Sequence, residues 1–365
     1  MYRTIDLFAG LGGIRKGFEL TGKCENVLSS EIDKYACETY KHLYGENPFN
    51  DVTSKDFKKK CENTQYDILL GGFPCQSFSI AGLKKGFLDK TRGTLFFDVA
   101  DIIKHTQPKA VFLENVEGLI RHDKGNTFRT ILNTLDEIGY YVINTEKDIT
   151  GELSYNVKDF IRNTKDFGLP QKRSRTYIIG IRKNLIPPNY IFKKYPINRE
   201  TKLYFNLYEL LEQKVESKYY LSQQLWETLK RHKEKHTQKG NGFGYVIVNE
   251  GQNPVSNTIL ATGGSGKERN LIKQYISEYD DKLVGQNKPI NKDGIRHMTP
   301  NEWGKLQGFI NYAFVEDGKD MFSFPNNISN AQKYKLFGNS VSIPVIESMA
   351  NYLINILEEI DGGTK

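Results

Sequence analysis

The sequence predicts an α/β protein built on an open, Rossmann-like sheet and followed by a second, smaller domain. Three observations carry this. Short apolar runs alternate with helical patterns as far as about residue 182. Several of those runs end abruptly in glycine or in acidic residues, as strands do at the ligand-binding edge of such a sheet. Beyond residue 183, Pro187, Pro188, Pro196 and a stretch rich in tyrosine and lysine interrupt the pattern, so a second domain is expected from 184 to about 330. A chain of 365 residues is long enough for two packed cores.

The first element is a strand over 3–8, which runs into Ala9-Gly10-Leu11-Gly12-Gly13 and then a helix opening at Ile14. Glycines in such a turn let the backbone approach a ligand closely, and the helix behind them favours negative or polar groups. The turn is not a G-x-G-x-x-G. A second strand over 27–33 ends in Glu31 and Asp33; an acid at that tip can accept both hydroxyls of a ribose, while Asp33 also suits a helix N-cap. A nucleoside fits this edge. The buried-strand run at 66–70 then meets Gly71, Gly72 and Pro74, which set Cys75 at the strand's C-terminal edge as a candidate nucleophile. A further apolar strand at 111–116 delivers Glu114 and Asn115. Gln171-Lys172-Arg173-Ser174-Arg175 precedes a strand over 176–181, and alternate residues of an extended stretch share a face, so Arg173 and Arg175 are expected to converge. Near the C-terminus, Ile346, Met349, Ala350, Leu353 and Leu357 have the spacing of a helix packed on a sheet.

DLFAGLGG at 6–13, GFPCQSFS at 72–79, ENV at 114–116, QKRSR at 171–175 and GNSV at 338–341 follow the motif order of the DNA cytosine-5 methyltransferases, in particular the bacterial type II modification enzymes, which the chain resembles. Motifs in the right order are far more specific than any one of them. The resemblance covers the first half of the chain almost continuously, resumes near Arg296 and runs close to the C-terminus. It implies an S-adenosylmethionine-dependent methyltransferase sheet at 1–183, completed by a terminal helix over 331–357 so that 331–365 returns to the catalytic domain, with target recognition at 184–330.

The chemistry agrees with the resemblance. C5 of cytosine is too weak a nucleophile to take a methyl group until a thiolate has added at C6, a role that falls to Cys75. A lowered thiol pKa is expected if Arg173 and Arg175 fold beside it. The resemblance assigns Glu114 to N3 and the exocyclic amine of the base, Arg175 to its O2, and Arg173 to bracing the catalytic loop and active site. It places Phe8 and Ile32 on the faces of the cofactor's adenine, Glu31 on the ribose, and Asp51 with Val52 at the adenine edge. Pro74, Leu95, Asn339 and Val341 complete that pocket, while Ala9, Gly10, Leu11, Gly12 and Gly13 shape the methionine end. Two departures stand out: Ile32 occupies a position where relatives often carry tryptophan, and Asn50 one where they often carry glycine.

The polar, glycine-punctuated stretch from Gln76 to Gly93 is read as a lid over a flipped-out base, with Ser79, Lys84, Lys85 and Arg92 meeting DNA. In the second domain, residues 257–270 hold the clearest recognition signal. Thr258 resembles the family's phosphate-anchoring threonine, and Lys267, Arg269 and Asn270 have the donors to read base edges. Residues 239–245 form a second candidate recognition loop.

The formal charge of +7 and pI of about 8.9 suit a double-stranded DNA partner without requiring one, since 51 basic residues face 44 acidic ones. One basic cluster spans 230–239, with Arg231, Lys233 and Lys235; His232 and His236 in it are spaced i,i+4, but no third ligand is evident and no metal site is expected. The four cysteines, Cys24, Cys37, Cys61 and Cys75, show no C-x-x-C spacing, so neither a zinc ribbon nor a disulfide framework is implied. With no signal segment or membrane-length apolar run, a cytoplasmic monomer without a membrane partner is expected, paired where one exists with a restriction endonuclease. A tRNA cytosine-5 methyltransferase and a catalytically silent DNA-binding module are the competing readings; the large 184–295 region favours duplex DNA, and the complete reacting set opposes the silent module.

Overall fold

The computed structural model describes residues 1–74, 95–240, 244–262, 270–275, 283–284 and 288–362. The chain divides into two compact units, one made of Met1–Asp166, Ser174–Arg199 and Ile343–Lys365, the other of Phe167–Arg173 and Glu200–Ser342.

In chain order the described elements begin with β1 (Tyr2–Leu7), α1 (Gly13–Glu19), β2 (Cys24–Ser30), α2 (Lys34–Tyr44), α3 (Lys55–Glu62), β3 (Ile68–Gly71), α4 (Leu95–Thr106) and β4 (Ala110–Val116). Then come α5 (Asn126–Glu137), β5 (Tyr140–Val142), β6 (Thr145–Lys147), β7 (Leu153–Tyr155), β8 (Ile161–Asn163), β9 (Gln171–Lys172) and β10 (Ser174–Arg182). In the first unit a seven-stranded sheet runs β2-β1-β3-β4-β10-β5, with β8 also paired to β10. The β1, β2, β3 and β4 pairings are parallel, whereas β10 is antiparallel to β4, β5 and β8. Ile68, Leu69 and Leu70 of β3 and Val111, Phe112 and Leu113 of β4 are fully buried, as central strands covered on both faces require.

The second unit continues with α6 (Gln223–Gln238), β11 (Val246–Ile247), β12 (Ser256–Asn257), β13 (Asn270–Lys273), β14 (Leu283–Val284), β15 (Lys288–Pro289) and β16 (Ile295–His297). It ends with α7 (Pro300–Gln307), β17 (Val315–Glu316), β18 (Lys319–Asp320) and α8 (Asn330–Asn339). A small sheet β11-β13-β16 forms its centre, and β12 pairs in parallel with β9. Beside that sheet Arg296 and Glu302, both fully buried, make a bidentate pair at 2.8 and 2.7 Å, and the Glu302 carboxylate also closes a capping box on Thr299.

The single terminal helix expected over 331–357 is two helices: α8 stops at Asn339, and α9 (Ile343–Gly362) starts afresh. Ser340 is extended (φ −81°, ψ −176°), and Pro344, which has no N–H to offer an upstream turn, sits at the start of α9, where that loss is harmless. Consequently residues 331–342 group with the second unit, where α8 packs on α7, while α9 groups with the first. Ile346, Met349, Ala350, Leu353 and Leu357 are fully buried; α9 packs on α1, with a Cβ at Gly17 falling 2.5 Å from Ile346.

Candidate active site

The C-terminal edge of β1, β2, β3 and β4 gathers the first unit's candidate residues. After β1 the backbone turns through Phe8 (φ 58°), Gly10 (φ 56°) and Gly12 (φ 71°), all left-handed. Gly12 donates to the Ala9 carbonyl at 2.6 Å, and Ala9 donates to the Ser30 carbonyl at 2.9 Å, so the turn is pinned to the end of β2. Glu31 closes it from the other side: one carboxylate oxygen accepts from Gly10 N–H at 2.8 Å, and the second from the N–H groups of Ile32 and Asp33 at 2.8 and 2.7 Å. Asp33 caps α2 by accepting from Tyr35 and Ala36, so it serves the helix rather than the strand tip. Ile32 is exposed (63%) and so is Phe49 (63%), whose backbone bridges Glu31. Asp51 folds back on Thr53 at 2.8 Å, and Val52 is buried.

Glu114, at the end of β4, is almost fully buried, and Arg175 at the start of β10 reaches it with Nε 3.3 Å from Oε1. The other carboxylate oxygen faces Gly72, where a Cβ would stand 3.7 Å from it. Asn115 donates its side-chain amide to the Phe73 carbonyl at 2.7 Å, tying the backbone that leads toward Cys75 to the tip of β4. Pro74 is exposed, and Leu95 opens α4. Cys75, Ser79, Lys84, Lys85 and Arg92 lie outside the described residues, as do Lys267 and Arg269.

In the second unit Arg173 is buried and donates to the carbonyls of Ile259 (3.1 Å), Gly338 (3.2 Å) and Ser340 (2.5 Å). Arg173 and Arg175, expected to share a face, bond different partners: Arg175 the Glu114 carboxylate, and Arg173 these three carbonyls. Asn339 ends α8 exposed, and Val341 is buried in the α8–α9 break. The Thr258 hydroxyl donates to the Lys172 carbonyl at 2.7 Å. Asn270 corrects another expectation: it is 1% exposed, and its amide holds Asn257 through both backbone groups at 2.9 and 3.2 Å, so it ties the two ends of the 257–270 stretch together instead of presenting donors to a base edge.

The sequence pattern of C-5 cytosine-specific DNA methylases matches residues 2–355. The chain belongs to that family. It is 42% identical over 356 residues to the type II methyltransferase M.HpaII of Haemophilus parainfluenzae, spanning 97% of this chain and 89% of that protein. It is 41% identical over 358 residues to the type II methyltransferase M1.ScrFI of Lactococcus lactis subsp. cremoris, spanning 98% and 79% respectively. Among solved structures, the Entamoeba histolytica methyltransferase EhMeth aligns with a TM-score of 0.65 at 20% identity over 98% of this chain and 99% of that one. A mutant of Spodoptera frugiperda DNMT2 aligns at 0.66 and 19% over 97% and 100%. The expected Rossmann-like methyltransferase sheet is therefore the fold that the chain adopts.

Beneath the glycine turn lies a layer that sequence reading missed. Arg15 is buried and bonds Glu19 at 2.6 Å, the Tyr40 hydroxyl at 2.7 Å and both oxygens of Glu46 at 2.9 and 3.1 Å, while its guanidinium lies 4.1 Å from the centre of the Tyr44 ring. The Tyr44 hydroxyl donates to the carbonyls of Gly12 (3.0 Å) and Leu11 (3.3 Å). Asn50 likewise works structurally, since its side-chain amide donates to the Ser29 carbonyl at 2.8 Å and its backbone carbonyl accepts from the Ser30 hydroxyl at 2.7 Å, stitching the 48–52 segment to β2. The i,i+4 spacings of Arg15 with Glu19 and of Tyr40 with Tyr44 are the only local signals of this layer, and such spacings are common on any helix.

Proposed function

We propose that this chain is the modification methyltransferase of a type II restriction-modification system, methylating C5 of a cytosine within a short sequence of double-stranded DNA. The observation that carries the reading is the Glu114–Arg175 pair, held under the backbone that leads into Cys75 at the edge of a methyltransferase sheet.

The turn after β1 fits S-adenosylmethionine. Left-handed Gly10 and Gly12 leave no side chains over the ligand, and Glu31, already oriented by three backbone N–H groups, can take up ribose hydroxyls. Phe8 and Ile32 would face the adenine, with Asp51 and Val52 at its edge; Pro74 and Leu95 line the same pocket in this reading. When bound, the cofactor supplies an electrophilic methyl group.

The protein supplies the rest. Cys75 as thiolate forms a bond to C6 of the flipped cytosine, and the electron pair displaced toward N3 is met by Glu114, whose proton or hydrogen bond there stabilises the adduct. Arg175 donates to O2 and holds the Glu114 carboxyl in place. After C5 has been methylated, loss of its proton and expulsion of the Cys75 thiolate restore the aromatic ring. Lys84, Lys85, Arg92 and Ser79 in the loop beyond Cys75, together with Thr258, Lys267 and Arg269, are assigned to DNA contacts. Arg173, bonded to the carbonyls of Ile259, Gly338 and Ser340 in the second unit, is assigned to bracing the site rather than touching the base.

The test is incubation of the purified protein with labelled S-adenosylmethionine and either mixed-sequence duplex DNA or total tRNA, followed by base-resolution mapping of 5-methylcytosine. Label at one short DNA motif supports the reading, and its loss in Cys75→Ser with cofactor binding retained supports the nucleophile. Label confined to tRNA, or turnover by the serine variant, overturns the corresponding part.

A further inference from the structure

In the second unit, α6 is anchored at its start and projects at its end. Trp226 and Leu229 pack with Leu221, Leu271 and Ile295, so the helix is seated on β13 and β16. From Arg231 onward it offers no buried residue. Arg231, Lys235 and Lys239 follow one another at i, i+4 and i+8, which aligns them in one stripe on the side away from Trp226 and Leu229. At 1.5 Å rise per residue the stripe is about 12 Å long. All three side chains are exposed, and among the described residues no carboxylate pairs with any of them. Their basic neighbours are engaged: Lys230 with Glu227 at 2.6 Å, and Lys233 over the Tyr245 ring at 4.4 Å.

An uncompensated cationic stripe is unfavourable to gather because of self-repulsion, and a polyanion relieves it. The position selects which polyanion. Leu271, on which α6 sits, directly follows Asn270, the residue that closes the 257–270 recognition stretch and locks it to Asn257. The helix is thus fastened to the strand that directly follows the 257–270 stretch proposed to read bases.

We propose that Arg231, Lys235 and Lys239 form a phosphate-contacting rail for the DNA duplex, separate from the residues that read bases. This rests on the reading that the chain acts on DNA. Such contacts carry affinity but no sequence information.

The experiment compares the full-length protein with the triple variant Arg231→Gln, Lys235→Gln, Lys239→Gln by fluorescence anisotropy, on a duplex bearing the methylated motif and on one lacking it, across a salt series. The rail predicts equal fold losses on both duplexes and a slope of log K against log salt shallower by about 2.7, at roughly 0.9 per phosphate for three contacts. Cofactor affinity and turnover at saturating DNA should stay unchanged, and the charge-keeping variant Arg231→Lys, Lys235→Arg, Lys239→Arg should retain the wild-type slope. An unchanged slope, or a loss confined to the motif-bearing duplex, overturns the rail. Failure of the wild-type protein to bind or methylate either duplex would instead refute the functional reading beneath it.

Discussion

Arg175 reaches across to Glu114, Nε to Oε1 at 3.3 Å, on adjacent antiparallel strands whose register sets Arg175 opposite Val116 and Glu114 opposite Tyr177. Both side chains are nearly buried, so neither charge is tolerated alone. Among the described residues this pair joins the two strands most directly responsible for the proposed chemistry.

Glu114→Gln keeps the shape and removes the charge. The expected outcome is a fall in turnover of at least about 10²-fold, the scale of a lost acid–base group, with cofactor affinity within error of wild type. Single-turnover methylation beside calorimetric cofactor titration checks it, and equal losses in both would assign Glu114 to structure alone.

Tyr44→Phe removes the hydroxyl that donates to the Gly12 and Leu11 carbonyls while leaving the ring that fills the space beside Gly12. One net hydrogen bond is worth about 0.5–1.5 kcal/mol, so the cofactor dissociation constant should rise roughly 2- to 13-fold with turnover at saturation unchanged. Gly12→Ala should be far worse, because its Cβ would stand 2.6 Å from the Tyr44 ring at a φ of 71°. Equilibrium binding of the cofactor to both variants decides the matter.

Gly338→Ala places a Cβ 2.4 Å from the Ala261 nitrogen and the Leu260 carbonyl carbon, backbone atoms that cannot rotate aside. The backbone around Leu260 and Ala261 would have to shift, at a cost on the order of 1–3 kcal/mol. A lowered melting temperature together with weaker DNA binding is expected; unchanged values for both would show that this contact gives way freely.

Two buried groups should tilt stability in opposite directions with pH. Burial pushes the Asp6 carboxyl up to about 7, against the pull of the Arg15 backbone N–H and guanidinium. Between the ordinary carboxylate range and pH 7 the folded chain keeps a proton that the unfolded chain has released, so this contribution falls as pH rises, by up to about 1.4 kcal/mol per unit. Burial lowers His297 from the ordinary 6.5 to about 4, so its contribution is lost as pH falls through that window. Relative to wild type, Asp6→Asn should therefore gain stability as pH rises toward 7, and His297→Gln should gain as pH falls toward 4; chemical denaturation at several pH values reads both slopes.

What the sequence made legible were the features that local chemistry writes into consecutive residues. The apolar runs at 66–70 and 111–116 became the central strands β3 and β4, and the glycines at 10 and 12 became left-handed turns because other residues meet a steric penalty there. What it hid depended on partners distant in the chain. Asn270 resembles a base reader until its 1% exposure and its bonds to Asn257 are known, and Arg173 resembles the companion of Arg175 until Ile259, Gly338 and Ser340 claim it.

By itself, then, the sequence determined the alternating strand and helix pattern, which follows from periodicity, and the family, which follows from the resemblance carried by DLFAGLGG, GFPCQSFS, ENV, QKRSR and GNSV in that order. Only the tertiary structure decided which polar groups are taken up inside. Arg15, Tyr44, Asn50 and Asn270 are buried or tethered through hydrogen bonds that close across tens of residues or, for Asn270, across the whole 257–270 stretch, and whether a polar side chain faces a ligand or a neighbouring carbonyl is settled by where folding leaves an unmet partner.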